Sequence, residues 1–459
     1  MFIYDTLTKK KKIFTPRNKE EATMFVCGIT PYDSPHIGNL RTFLNYDLIA
    51  NYLRYKGYNL KYIQNITDID DKIIKRSKEK GILWRELANQ YFKELQEVLK
   101  TLNLTSVNKY AKATNHINEI LKQIETLMKK GYAYEKNGTV FFDITKFKDY
   151  GKLSGQNLGK LKKAERTEED EDKKHPYDFA LWKASKDDEP FWDSPFGKGR
   201  PGWHIEDTAI TEHFFGAQYD IHGGGIDLIF PHHECEIAQQ ESASGKKPFV
   251  KYWMHSGFVN VNGEKMSKSL NNFITAKELL SEENPSIIRF MMLSAHYRSP
   301  IDYSEKLKEQ AKNTLEKIST FAQRIRNHKS NKDTDDLKVQ KFIKEFFKHM
   351  DDDFNSPRAI ASLFELINYT NAKIDSYSIS NMDKKNIAQF LKNFEKIFGI
   401  KILIAKKELI PEDLINLAKE RDELRKNKQW KEGDERRDAI EKRGYKIEDT
   451  PEGPKLKKI

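Results

Sequence analysis

Cysteine is nearly missing from this chain. Cys27 and Cys235 are the only two among 459 residues, so no disulfide framework is possible, and a reducing compartment fits. No apolar run reaches the ~20 residues of a membrane span. The opening stretch Met1–Lys12 is basic, without the apolar segment or cleavage site of a secretion signal. Internal repeats are lacking too, which argues against a solenoid or a propeller. These absences predict a soluble cytoplasmic protein with no membrane partner.

What the chain does have is apolar material, 38% of residues with 12% aromatic, enough for real cores and too much for wholesale disorder. Its length exceeds one compact core, so several domains are expected. The formal net charge of +11 favours a polyanionic partner without demanding one, because lysines also simply solvate a surface.

The run Thr23–Cys27 reads as a buried strand stopped by Gly28. After the turn-rich segment 30–35, a helical pattern runs from about His36 to Lys56, with Leu44, Leu48 and Tyr52 on one face and Gly57 beyond its end. Tyr58–Ile63 reads as another strand. Strand, turn, helix and strand within about forty residues begin a Rossmann-like parallel sheet, whose ligands sit at the carboxyl ends of strands. Further on come a helix over His116–Lys130 capped by Asn115, a β-like run Thr139–Phe142 and the polar stretch Glu165–Lys174, an insertion in the sheet. The sheet is expected to resume near Gly202 and continue past Val259. Beyond Lys306 two apolar stripes are helical, Phe342, Ile343, Phe346, Phe347 and Met350, then Ile360, Leu363, Phe364 and Ile367. The last fifty or so residues form a small charged module.

Two motifs carry chemistry. His36-Ile37-Gly38-Asn39 opens a helix directly after a strand, where backbone N–H groups and the helix dipole attract phosphate. His36 and Asn39 add neutral donors, and Gly38 permits close approach of a nucleotide. Lys265-Met266-Ser267-Lys268-Ser269 places two lysines and two hydroxyls after Gly263, a clamp for a departing polyphosphate. Read alone, the first is turn structure and the second a solvated basic loop; order and spacing raise both above that.

Together they resemble the paired signatures of class I aminoacyl-tRNA synthetases. Further segments are similar to the cysteinyl family: Cys27–Thr30, Asn65–Lys72, Phe179–Lys183, Pro201–Glu206, His222–Leu228 and Phe230–Glu234. The resemblance covers essentially the whole chain. It implies an α/β Rossmann-like catalytic domain with an insertion, an all-α helical bundle and a small C-terminal anticodon-binding module. The corresponding boundaries are 1–110 and 201–260 for the two Rossmann halves, 111–200 for the connective insertion and 261–305 for the signature loop and stem-contact region. The bundle is 306–405, and the module 406–459.

The resemblance also implies roles. His36 and Asn39 would contact ATP phosphates, with Gly38 beside them; Lys265 and Lys268, with Ser267, would hold the β- and γ-phosphates together with Mg²⁺. Asp227 would bond the adenosine ribose while Gly224 and Gly225 admit the base. Gly28, Thr30, Thr67, Trp203 and His222 would shape a cysteine pocket; on their own, Trp203 reads as core packing and His222 as a structural histidine. Cys27, His232 and Glu236 would hold zinc, which in similar enzymes binds the substrate thiolate. His232 and Glu236, at i and i+4, share a helical face. The family's second cysteine is replaced by Asp207. Three possibilities stay open there: Asp207 ligates, Cys235 substitutes from i+3 of His232, or the metal is lost.

At the C-terminus Arg425, Trp430, Asp434, Arg437 and Asp449 match the anticodon-reading pattern, with Trp430 able to stack a base. The family pattern is lost after Gly453, at Pro454-Lys455-Leu456. The implied activity is loading of cysteine onto tRNA(Cys) with ATP by a monomeric enzyme. A cysteine ligase with a glucosamine–inositol acceptor lacks such a module, so the region after Lys406 opposes it. An inactive synthetase-like RNA-binding protein is opposed by the intact His36, Lys265, Lys268 and Asp227.

Overall fold

The computed structural model describes residues 1–157, 171–266, 272–330, 336–402, 411–450 and 453–458. The chain divides into two compact units, Met1–Leu403 and Ile404–Ile459.

The first unit is built on five parallel strands. β1 (Ala22–Ile29) leads through His36 into α1 (Ile37–Tyr55), then to β2 (Leu60–Ile66) and β3 (Lys109–Lys112). The insertion opens with α2 (Ile117–Lys129), and after it come α3 (Trp203–Phe215), β4 (Tyr219–Gly225), α4 (Glu234–Ser244) and β5 (Val250–Ser256). The order across the sheet is β5-β4-β1-β2-β3, every pair parallel. Strand order reverses between β1 and β4, and that is where a doubly wound sheet opens a crevice at its carboxyl edge. β1 runs Ala-Thr-Met-Phe-Val-Cys with Met24, Phe25 and Val26 inaccessible, the continuous apolar pattern of a strand covered on both faces.

α1 is buried nearly all round. One side lies on the sheet; the other meets the helices Pro285–Leu293 and Asn381–Phe398, and through Tyr52 and Tyr55 it touches Phe347 of Leu337–Asp351. Leu44, Tyr52, Phe346, Met350, Leu363 and Phe394 belong to one continuous core. Buried Arg289 pairs with Asp47 of α1 and donates to the carbonyls of Leu102 (2.8 Å) and Phe398 (2.9 Å). Removing one partner of such a buried pair costs about 3–5 kcal/mol, so this contact fixes the bundle against the sheet.

The sequence expectations differ from the structure at several places. The first strand runs through Gly28 to Ile29, and the parallel sheet resumes at Tyr219, not near Gly202, and ends at Ser256, with Val259 in a separate small sheet. The strand Gly199–Pro201 pairs with Phe179–Ala184 and closes the four-stranded antiparallel sheet of the insertion. Gly202 then caps α3, where a Cβ would collide with the Ala180 carbonyl. The helix in the insertion is capped by His116, not Asn115. Asp68 holds the Thr114 N–H (3.0 Å) and hydroxyl (2.7 Å), which keeps Asn115 in a separate tight turn.

The second unit pairs the helices Glu412–Lys426 and Trp430–Lys442 with an antiparallel hairpin, Tyr445–Thr450 and Gly453–Lys458. Its core is small, built on Leu414, Ala418, Ile440 and Ile447. Among the described residues of the chain, no helix is long and apolar enough to cross a membrane.

Candidate active site and metal cluster

A cavity of about 280 Å³ opens at the strand-order reversal. It is lined by Cys27 and Gly28 from β1, His36, Gly38 and Asn39 at the start of α1, and Gly225 and Asp227 after β4. The helix start is locked by reciprocal capping. The His36 Nδ1 accepts from the N–H groups of Gly38 (3.1 Å) and Asn39 (3.4 Å), while the Asn39 side chain accepts from the His36 N–H (3.1 Å). With Nδ1 committed as acceptor, the ring proton sits on Nε2. A Cβ on Gly38 would press on the His36 ring at 3.0 Å, so this glycine serves the cap itself. Asp227 stands exposed on the turn Ile226–Leu228.

Glycines set the walls. A Cβ on Gly28 would strike the Asn65 carbonyl, and its N–H donates to the Asn65 side chain (2.6 Å). A Cβ on Gly223 would strike the Tyr46 ring, whose hydroxyl accepts from the Gly224 N–H (2.8 Å) and donates to the Met254 carbonyl (2.7 Å).

Beneath the cavity lies a buried polar cluster that shares Cys27 with it. Cys27, Asp207, His232 and Glu236 bring one potential ligand atom each to within 4.8 Å of one another. His232 Nε2 is 3.0 Å from both carboxylates, and Cys27 Sγ is 3.4 Å from Asp207. α3 presents Asp207, α4 presents Glu236, and His232 comes from the wide helical turn Ile229–His233 that runs straight into α4. Asp207 Oδ1 is buried without a hydrogen-bond partner among the described residues, and the Glu236 oxygens meet His232 (3.0 Å) and His222 (3.5 Å) without the alignment of a hydrogen bond. A cation would satisfy them, and so the donor set fits a metal.

The electrostatics say the same. Burial first, then the Asp207 and Glu236 carboxylates, pushes the Cys27 thiol well above its usual range. Burial raises Glu236 to about 8 despite His232 beside it. Burial alone would lower His232, but Glu236 and Asp207 outweigh it and push it up to about 10. Three acids packed round one imidazole are short of positive charge.

A second tetrad overlaps the first, with Cys27 and Glu236 joined by His222 and His233 within the same span. Cys27 Sγ lies 3.4 Å from His222 and 3.2 Å from His233. Both imidazoles have partners on their other nitrogen, Tyr219 at 2.5 Å and His255 at 2.9 Å, an arrangement compatible with ligation. The set with Asp207 holds that carboxylate's partnerless oxygen and is the one a cation relieves most. Cys235 belongs to neither tetrad. Its Sγ faces the Tyr150 hydroxyl at 3.2 Å, within the core that the insertion shares with the sheet.

Other residues singled out from sequence are dispersed around this floor. Thr67 is buried and donates to Glu206, itself fully buried and held well above the usual carboxylate range by burial and Asp207. Trp203 is 41% exposed and stacks on His232 at 4.3 Å. His222 is inaccessible and stacks on Trp253 at 4.5 Å. Thr30 is half-buried. Lys265 pairs through its backbone with Asn260, and the next residue, Met266, lines the cavity. Ser267 and Lys268 lie outside the described residues.

Sequence reasoning missed Thr42, Phe43, Ser256, Gly257, Phe258 and Val259, which also line the cavity. Thr42 and Phe43 follow the His36 motif by one helical turn and were findable from it. The others lie at and beyond the end of β5 and carry no motif.

In the second unit Arg425 lies over the Trp430 ring at 5.3 Å, and Trp430 is 55% exposed. Arg437 pairs with Glu441 (3.1 Å), and Asp434 is exposed. Asp449 is held by Arg421, a buried arginine that the sequence pattern did not single out.

The family model described as tRNA synthetases class I (C) catalytic domain matches residues 13–313, and a DALR domain matches 345–403. The chain is 44% identical to the cysteine–tRNA ligase of Carboxydothermus hydrogenoformans, over all of both chains. It is also 44% identical to that of Thermococcus gammatolerans, over 100% of this chain and 99% of the other. The chain belongs to the cysteine–tRNA ligase family of class I aminoacyl-tRNA synthetases. More distant structures share the fold. Methionyl-tRNA synthetase from Mycobacterium tuberculosis, solved with methionyl-adenylate, superposes with a TM-score of 0.62 at 15% identity, covering 82% of this chain and 89% of that one. The leucyl enzyme agnB2 of Agrobacterium radiobacter K84 gives 0.64 at 10%, covering 86% of each.

Proposed function

We propose that this family member activates cysteine with ATP to cysteinyl-adenylate, releasing pyrophosphate, and transfers cysteine to the 3′-terminal adenosine of tRNA(Cys). The observation that carries this reading is one shared residue. Cys27 lines the cavity that a capped helix start opens into, and it also belongs to the cation-deficient cluster beneath.

The substrate carboxylate is already a nucleophile, so the first step needs no general base; it needs alignment and charge stabilisation. His36 offers its Nε2–H toward the phosphates from a ring locked at Nδ1, and Asn39 is fixed by the same cap. Lys265 and Lys268 neutralise charge on departing pyrophosphate, with Mg²⁺ and Ser267 alongside. Asp227 accepts from the ribose hydroxyls, and Gly38, Gly224 and Gly225 keep the surface low enough for the nucleotide. Gly28, Thr30, Thr67, Trp203 and His222 surround the amino acid. Cys27, Asp207, His232 and Glu236 would hold zinc, and the chemistry it supplies is affinity for a thiolate, which separates cysteine from serine where shape alone does not.

Arg425, Trp430, Asp434, Arg437 and Asp449 would read the anticodon. Both cysteines are free and buried, which suits a reducing compartment, and the cytoplasm is the one we assign. We take a single chain to be the working unit, with the domain limits proposed from sequence.

Cysteine-dependent ATP–pyrophosphate exchange followed by charging of tRNA(Cys) tests the proposal. Exchange without charging, but with ligation to a glucosamine–inositol acceptor, would replace it by the related ligase. Neither activity would leave an RNA-binding protein.

A further inference from the structure

We infer that His116, Glu119 and His213 form a second metal site, a two-histidine, one-carboxylate triad for a divalent cation of the zinc class, separate from the cluster at Cys27. One ligand atom from each residue lies within 4.8 Å of the others. His213 Nδ1 is 3.1 Å from Glu119 Oε1, and His116 Nδ1 is 3.8 Å from the same oxygen. Ligands at the usual zinc distance of about 2.0–2.1 Å in tetrahedral arrangement stand about 3.3 Å apart, a separation these two values bracket.

Proximity alone would make this a surface ion pair. The second observation concerns His116. It is 6% exposed, and its Nδ1 is buried with no hydrogen-bond partner among the described residues. The 3.8 Å to Glu119 is too long for a hydrogen bond. A buried ring nitrogen left without a partner is costly, and a metal bond to its lone pair removes the cost.

Local structure explains the placement. His116 caps α2 without a capping hydrogen bond from its side chain, and Glu119 stands one turn on, on the same face. His213 is in the last turn of α3, and α2 packs against α3. The rings of His116 and His213 meet edge to face at 5.2 Å, with Phe214 packed on both. Glu119 and His213 also line a hollow of about 220 Å³ together with Gln123 and Glu212, so an ion has an entry path and room for water at its open positions. Two nitrogens and one carboxylate with open positions suit zinc, and also cobalt, nickel or copper.

A bound ion would tie the helix of the insertion to the end of α3 whose beginning carries Trp203 and Asp207. Its role is a clip between insertion and catalytic sheet, not part of the reaction.

The test is titration of untagged, metal-stripped full-length protein with Co²⁺ and with Zn²⁺, followed by calorimetry and absorption. Two equivalents are expected: one with a sulfur-to-cobalt charge-transfer band from Cys27, and one with ligand-field bands alone. His213→Ala and Glu119→Gln should each weaken the second by more than about 100-fold, beyond what outer-sphere changes cost. The sulfur-linked equivalent, and charging of tRNA with the inner site loaded, should be unaltered. Zinc should also raise the melting temperature of the parent beyond that of His213→Ala. A sulfur-free equivalent lost in His213→Ala upholds the triad even if the inner site proves empty. Binding that both variants leave unchanged, or no sulfur-free equivalent at all, overturns it.

Discussion

At the carboxyl ends of β1 and β4, Cys27, Asp207, His232 and Glu236 are withdrawn from water almost completely, and the anionic forms of Cys27 and Glu236 are disfavoured there. Around Trp430 the charged groups stand mostly in solvent, each with a cheap local partner such as Glu441 for Arg437. The contrast teaches where each region keeps its specificity. A buried cluster short of positive charge is costly by itself and gains most from one small ligand. An exposed aromatic beside a cation costs nothing to maintain and gains only when a large partner covers it.

The largest effect should come from emptying the buried cluster. Asp207→Ala removes one of four ligands and some repulsion around Cys27, so the protein should fold while metal affinity drops by more than about 100-fold. Elemental analysis should find the metal gone, and exchange should no longer favour cysteine over serine. Chelation of the parent should do the same, whereas Asp207→Cys should keep both metal and discrimination. Full metal content in Asp207→Ala would move the site to the overlapping set with His222 and His233.

Next in size is removal of the exposed region. A chain ending at Lys406 retains the whole first unit, with its own core, and should show exchange within a few-fold of the parent. Charging of tRNA(Cys) should fall by roughly 100-fold, the loss of several contacts worth about 1–3 kcal/mol each. Equal charging by the truncated chain would dismiss the anticodon assignment. Trp430→Ala asks the same question of one residue. Its KM for tRNA should rise about tenfold, one stacked base lost, with exchange and the circular dichroism spectrum unchanged.

The two regions also differ in how much of them the sequence disclosed. The sheet was legible because β1 is a continuous apolar run and His36 follows it by a short turn. The metal set was legible only through family resemblance, since its residues come from β1, α3, α4 and the turn before α4. No spacing rule links residue 27 to residue 207. What was misplaced has local causes: Gly202 reads as the approach to a strand until Gly199–Pro201 is claimed by the insertion's sheet, and Asn115 reads as a cap until Asp68 pins Thr114. The hairpin ending the second unit and the buried Arg421 that holds Asp449 had no signal, because a charged stretch looks alike whether its ions pair or solvate.

The smallest effect is the sharpest on ligand choice. From sequence, Cys235 could stand in for the missing family cysteine, because i+3 from His232 brings it near the same helical face. The structure turns it away: it is 1% exposed, meets the Tyr150 hydroxyl at 3.2 Å and lies in neither group of potential ligands. Burial raises its thiol strongly, as it does that of Cys27, with Glu234 and Glu236 adding to the rise and the Tyr150 hydroxyl opposing it, so placement and not acidity separates the two cysteines. Cys235→Ala should therefore cost about 1–3 kcal/mol, from a lost sulfur in the core and a Tyr150 hydroxyl left without its partner, read as a lower midpoint in urea. Metal content, cysteine-dependent exchange and rejection of serine should equal those of the parent. Metal loss in this variant would show that the helical turn at Ile229–His233 rearranges on binding to bring Cys235 inward, and would take the ligand role away from Asp207.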